Sequence, residues 1–81
     1  MKTLKVKIVS QTSKKEIPRV KQVTLPTPDG YITILPGHDK LISVLSAGTI
    51  RVVQESGQII EEKTIGGIVQ INNNTVKILL D

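Results

Sequence analysis

A small all-β sandwich or flattened barrel, with roughly eight to ten short and mostly antiparallel strands, is the fold this 81-residue chain predicts. Three observations lead there. Leu4, Val6 and Ile8 alternate with Lys5 and Lys7, the period of a strand with one wet face. Turn residues (Gly, Pro, Asn, Ser) recur at close intervals from Ser10 to Asn74, leaving room for strands between them but for little else. The apolar residues are mostly Ile, Val and Leu, which suit a pleated, half-buried surface, and no ten-residue window carries a 3.6 period.

In order along the chain, the first strand covers Leu4, Val6 and Ile8. Pro18 interrupts the next apolar positions, so Glu16–Ile17 and Val20–Leu25 read as two pieces around a bulge or an edge. The Asp29-Gly30 turn leads into Tyr31–Leu35, and Pro36-Gly37 leads into Leu41–Leu45. Ser46-Ala47-Gly48 turns into Thr49–Gln54, and Glu55-Ser56-Gly57 into Gln58–Ile65. Gly66-Gly67 marks a kink or a close backbone approach. Ile68–Ile71 and Thr75–Leu80 flank Asn72-Asn73-Asn74, a hairpin turn that uses asparagine's tolerance of the left-handed region. The expected core includes Val6, Ile8, Val23, Leu25, Ile34, Leu45, Ile50, Val52, Ile71 and Ile78.

Length allows one domain over residues 1–81, near the lower limit for burying an independent core. Folding stability of order 4–12 kcal/mol is expected at this size. With no cysteine, neither disulfides nor thiolate metal sites contribute. No apolar segment approaches the ~20 residues of a membrane-spanning helix, and no signal run follows Met1. The expectation is a soluble protein of the compartment where it is made.

The net charge of +4 is unevenly spread. Lys2, Lys5, Lys7, Lys14, Lys15, Arg19 and Lys21 face only Glu16 at the start, whereas beyond Lys40 acids outnumber bases. Such an end can attract anions, but nucleic-acid recognition on a β domain calls for stacking aromatics, and Tyr31 is the only aromatic residue. The lysines fit a solvated face guarding strand edges, and no nucleic-acid partner is expected.

Catalytic patterns are thin. His38 is the only histidine, with Asp39 beside it and Ser43, Ser46 and Thr49 downstream, but no nucleophile-elbow pattern accompanies them. One histidine and scattered carboxylates do not make a metal site. Glu61 and Glu62 occupy adjacent strand positions, so they point to opposite faces and cannot form an acid/base pair. Gly66-Gly67 lacks the strand–loop–helix setting of a phosphate cradle. No catalytic residue, cofactor or metal is expected, and His38 is left with either a turn-capping or an interface role.

The order of residues goes further than this. Leu25-Pro26-Thr27-Pro28-Asp29-Gly30, followed by Ile34-Leu35-Pro36-Gly37-His38, resembles the start of the ATP synthase epsilon subunit family. Leu41-Ile42 and Leu45 fit the apolar run after that family's histidine, and Ala47-Gly48-Thr49-Ile50-Arg51-Val52 resembles its Pro-Gly-x-Leu/Ile-Arg strand. Gly66-Gly67-Ile68-Val69-Gln70-Ile71 and the closing Asn73–Asp81 segment complete the match. The resemblance covers the family's N-terminal domain only; nothing in these residues corresponds to the helical hairpin that many members add, so neither ATP binding nor self-inhibition through that hairpin is expected of them. The sequence departs from the family at Tyr31, where a polar residue is common, at Thr33, at Asp39-Lys40 in place of Ala-Pro, and at Ile65.

The resemblance implies a non-catalytic rotor element of the F-type ATP synthase central stalk, docking on the gamma subunit and the membrane c-ring to couple proton or sodium transport to ATP synthesis. It places Asp29, Gly30 and Tyr31 at the c-ring, and His38, Leu41 and Ile42 at gamma. It implies a peripheral position on the cytoplasmic face of a bacterial inner membrane, or on the stromal side of a plastid thylakoid. Two other classes are compatible with the residues themselves: a free-standing β-sandwich adaptor that captures partners by strand addition, and a basic oligonucleotide-binding barrel.

Overall fold

In the computed structural model, which describes residues 2–81, eight strands account for the regular structure: β1 (Leu4–Val9), β2 (Lys14–Thr27), β3 (Gly30–Ile34), β4 (Leu41–Leu45), β5 (Gly48–Gln54), β6 (Ile59–Thr64), β7 (Gly67–Asn72) and β8 (Thr75–Leu80). Backbone pairing joins them in the order β4-β7-β8-β1-β2-β5-β6, with β3 added beside β2. Every pairing is antiparallel except β1 with β8.

Strand β2 makes this sheet a sandwich. Its first half pairs with β1, and its second half lies between β3 and β5. Between the halves the register slips against both neighbours, and Arg19 adopts a left-handed φ of 52°. The expected interruption at Pro18 is therefore real, but the strand continues through it as a bulge. Extra residues in one strand sharpen bend and twist, and β2 so passes from one layer to the other. The carbonyls freed there are taken up: the Glu55 amide donates to Arg19 O at 2.8 Å and Gln54 Nε2 to Pro18 O at 3.1 Å.

The core lies between the layers. Leu4, Val6, Ile8, Leu45, Val69, Ile71, Val76 and Ile78 come from one half, and Val23, Leu25, Ile34, Ile50 and Val52 from the other. All ten residues expected in the core are at most 3 % exposed. The shortest dimension, 18 Å, fits two sheets about 10 Å apart with their outer side chains.

Two turns are set by backbone conformation. Asn73 and Asn74 have φ of 50° and 61°, the pair of left-handed residues that a two-residue hairpin between Asn72 and Thr75 needs. Gly67, at φ 149°, lies against the Leu79 carbonyl so closely that no Cβ could fit, which accounts for the second glycine of the pair.

The lysines divide between a solvated face and free strand edges, as expected. β1 is an interior strand, so Lys5 and Lys7 cover an open sheet face; the first half of β2 has only β1 as a neighbour, and the other free edges belong to β3, β4 and β6. Lys14 and Lys15 in β2 and Lys63 in β6 lie on stretches with a free edge. Lys15 reaches across to Glu62 at 2.8 Å, while Glu61 faces Arg51 at 4.0 Å, confirming that the two glutamates point apart.

Candidate interaction surfaces

The β2–β3 hairpin turns at Pro28 and Asp29. Gly30 takes a φ of 113°, and Thr27 Oγ1 both donates to Gly30 O at 2.6 Å and accepts the Asp29 amide at 3.3 Å. The tip is thus rigidly built, and Asp29 is exposed with no ion pair among the described residues. Tyr31 is 59 % exposed, and its hydroxyl oxygen accepts the Thr49 amide at 3.1 Å.

His38 lies at the other end of β3, a strand whose length is ~13 Å. The Pro36-Gly37 turn closes with the His38 amide donating to Leu35 O at 3.2 Å. The exposed His38 ring places Nδ1 2.8 Å from Asp39 O, a turn-capping arrangement that leaves the rest of the ring facing solvent. Leu41 and Ile42 follow but diverge, as adjacent strand residues must. Leu41 packs half-buried on the core, while Ile42 is 72 % exposed. With Lys40, Gln70, Ile71 and Asn72 they line a shallow groove of about 490 Å³.

Beside this groove lie residues that the sequence assigned to strands without singling out as a surface. Register aligns Val44 with Ile68, Ile68 with Leu79, and Leu79 with Val9. The result is an apolar row across the outer face of β4, β7, β8 and β1, with Val44 59 % and Ile68 44 % exposed. The parallel row beside it runs Ile42, Gln70, Lys77, Lys7 and Glu16, and sets two lysines side by side. A signal for this row was present: Leu41–Leu45 and Thr75–Leu80 hold apolar residues at both phases of the alternation, more than one core face can bury.

Among the described residues no three metal-ligating side chains converge, and no helix is long and apolar enough to cross a membrane. Exposed apolar and charged surface on a rigid β body is chemistry for binding.

The family model for the ATP synthase delta/epsilon chain β-sandwich domain matches residues 3–81. The chain belongs to this family. An ATP synthase epsilon chain from Clostridium kluyveri is 44 % identical over 62 residues, covering 76 % of this chain and 47 % of the relative. Another, from Bordetella petrii, is 37 % identical over 81 residues, covering all of this chain and 57 % of the relative. The chain thus spans about half the length of these epsilon relatives. Among solved structures, a chain of the Euglena gracilis mitochondrial ATP synthase OSCP/F1/c-ring assembly superposes with a TM-score of 0.89 at 25 % identity, over 96 % of this chain and 50 % of that one. A chain of the Tetrahymena thermophila mitochondrial ATP synthase central stalk and c-ring superposes with a TM-score of 0.81 at 15 % identity, over 98 % of this chain and 63 % of that one, which is a likeness of fold.

Proposed function

We propose that this epsilon-type domain is a non-catalytic rotor element of an F-type ATP synthase, bridging the gamma subunit and the c-ring at the membrane surface. One observation carries the reading beyond family membership: a stiff sandwich presents two separate exposed surfaces at opposite ends of β3. An element that passes torque between two partners needs both held at once on a body that does not yield. The Asp29 hairpin is the surface for the polar loops of the ring. His38, Ile42 and the adjoining row of Val44 and Ile68 form the surface for gamma; buried exposed aliphatics supply affinity there, and the flanking Lys7 and Lys77 favour an acidic border on the partner.

The decisive experiment is reconstitution of the chain with purified gamma and with c-rings. Stable gamma binding that Ile68→Ser abolishes, together with ring association that Asp29→Ala weakens, supports the reading. Failure to bind either partner overturns it. The adaptor reading rests on a different observation, the unpaired edges of β4 and β6. It is favoured if binding is lost on proline substitution along an edge but survives changes on the outer face.

A further inference from the structure

The β2–β5 ladder pairs Gln22 with Val53, Val23 with Val52 and Thr24 with Arg51. Carried two residues on, the same register sets Pro26 opposite Thr49. The ladder does not continue there. The Pro26 carbonyl accepts the Ser46 amide at 3.0 Å, and the Thr49 amide donates to Tyr31 Oη at 3.1 Å. Tyr31 is itself the partner of Pro26 on the opposite side of β2. Its side chain therefore crosses over Pro26 and fastens β3 to β5 where the regular ladder stops. Gly48 leaves the space for this: a Cβ there would stand 2.6 Å from Tyr31 Oη and 2.9 Å from Pro26 Cβ.

We infer that Tyr31 is a positioning residue: through the Thr49 amide it fixes the Asp29 hairpin relative to β5, and the group offered to a partner is the Asp29 carboxylate. This rests on the proposed docking of that hairpin. Its physical content is that beyond Thr24 the regular ladder gives way to the single Ser46–Pro26 main-chain bond, and the Tyr31–Thr49 bond adds a second tie that limits splaying there. The Tyr31 oxygen holds Thr49 as an acceptor, and its own O–H proton takes no part in that bond.

Tyr31→Phe removes that oxygen alone and keeps the exposed ring. In the isolated chain, hydrogen exchange of the Thr49 amide should quicken roughly tenfold, with the core amides of Ile50 and Val52 unaffected. Gly48→Ala should speed Thr49 exchange as well, although it leaves the hydroxyl in place, because the new Cβ displaces the ring. In reconstituted synthase, ATP-driven proton pumping should fall with Tyr31→Phe. The Asp29→Ala/Tyr31→Phe double variant should pump no worse than Asp29→Ala alone, because one residue acts through the other. Unchanged Thr49 exchange in Tyr31→Phe overturns the inference, as do pumping losses that multiply in the double variant, which would make Tyr31 an independent contact. Wild-type pumping by Asp29→Ala removes the hairpin as a docking site, and the positioning role with it, even where Thr49 exchange responds.

Discussion

The Gly37 amide donates to Asn74 Oδ1 at 2.7 Å, tying the loop that carries His38 to the hairpin between β7 and β8. Asn74 thus does two things: it takes the left-handed φ of 61° that the hairpin requires, and it spends its side chain on a loop 37 residues away. The Asn74 carbonyl also accepts the Lys5 amide at 2.8 Å, so three segments meet at this residue.

Asn74→Gly separates these roles, since glycine keeps the turn and loses the amide oxygen. Stability should fall by about 1 kcal/mol, read from urea unfolding. Gamma binding should weaken more than the melt implies, because the loop carrying His38 is released. Equal binding by Asn74→Gly and wild type would detach this tie from the interface.

Truncation of the core should behave conventionally. Ile34 and Ile78 are both fully buried, on opposite layers. Either residue changed to alanine should cost roughly 2–5 kcal/mol, a large share of what an 81-residue domain has. Chemical denaturation measures this directly, and a loss below 1 kcal/mol at either site contradicts the packing.

The outer face should respond in the opposite sense. Val44 and Ile68 face solvent, so Val44→Ser with Ile68→Ser should shift stability by only about 0.5 kcal/mol while abolishing gamma binding. Thermal melts run beside gamma co-purification test both halves. Collapse of the fold, or unaltered binding, refutes the assignment of this face.

Much of this fold was legible because each local signal was strong and had one outcome. The clean alternation of Leu4, Val6 and Ile8, the left-handed asparagines and the paired glycines at 66 and 67 each specify a backbone shape that survives tertiary context. Layer assignment was not legible. Whether Pro18 ends a strand or bends one depends on β5 supplying Gln54 and Glu55 to the freed carbonyls, some 36 residues further along. The outer apolar row was hidden for a related reason. Val44, Ile68, Leu79 and Val9 come together only through register, and β1 and β8 pair in parallel from opposite ends of the chain. The hydroxyl of Tyr31 was equally unreadable, since its partner lies across a strand from it.

Additivity separates the two proposed contacts most sharply. Asp29 and His38 flank β3 at opposite ends, and no hydrogen bond links their loops among the described residues. Sites more than about 7–10 Å apart without shared partners contribute independently to stability. Asp29→Ala should therefore weaken c-ring association and leave gamma binding unchanged, and His38→Ala should do the reverse. The melting temperature of each variant should stay close to wild type, since both side chains are exposed. In the double variant each binding loss should equal that of its single variant, measured with gamma and with c-rings in turn. Proton pumping, which requires both contacts in series, should then fall further than in either single variant. Cross-effects, with His38→Ala weakening the ring contact as strongly as Asp29→Ala does, would mean that one partner spans both ends of β3 and that the domain is held on a single surface.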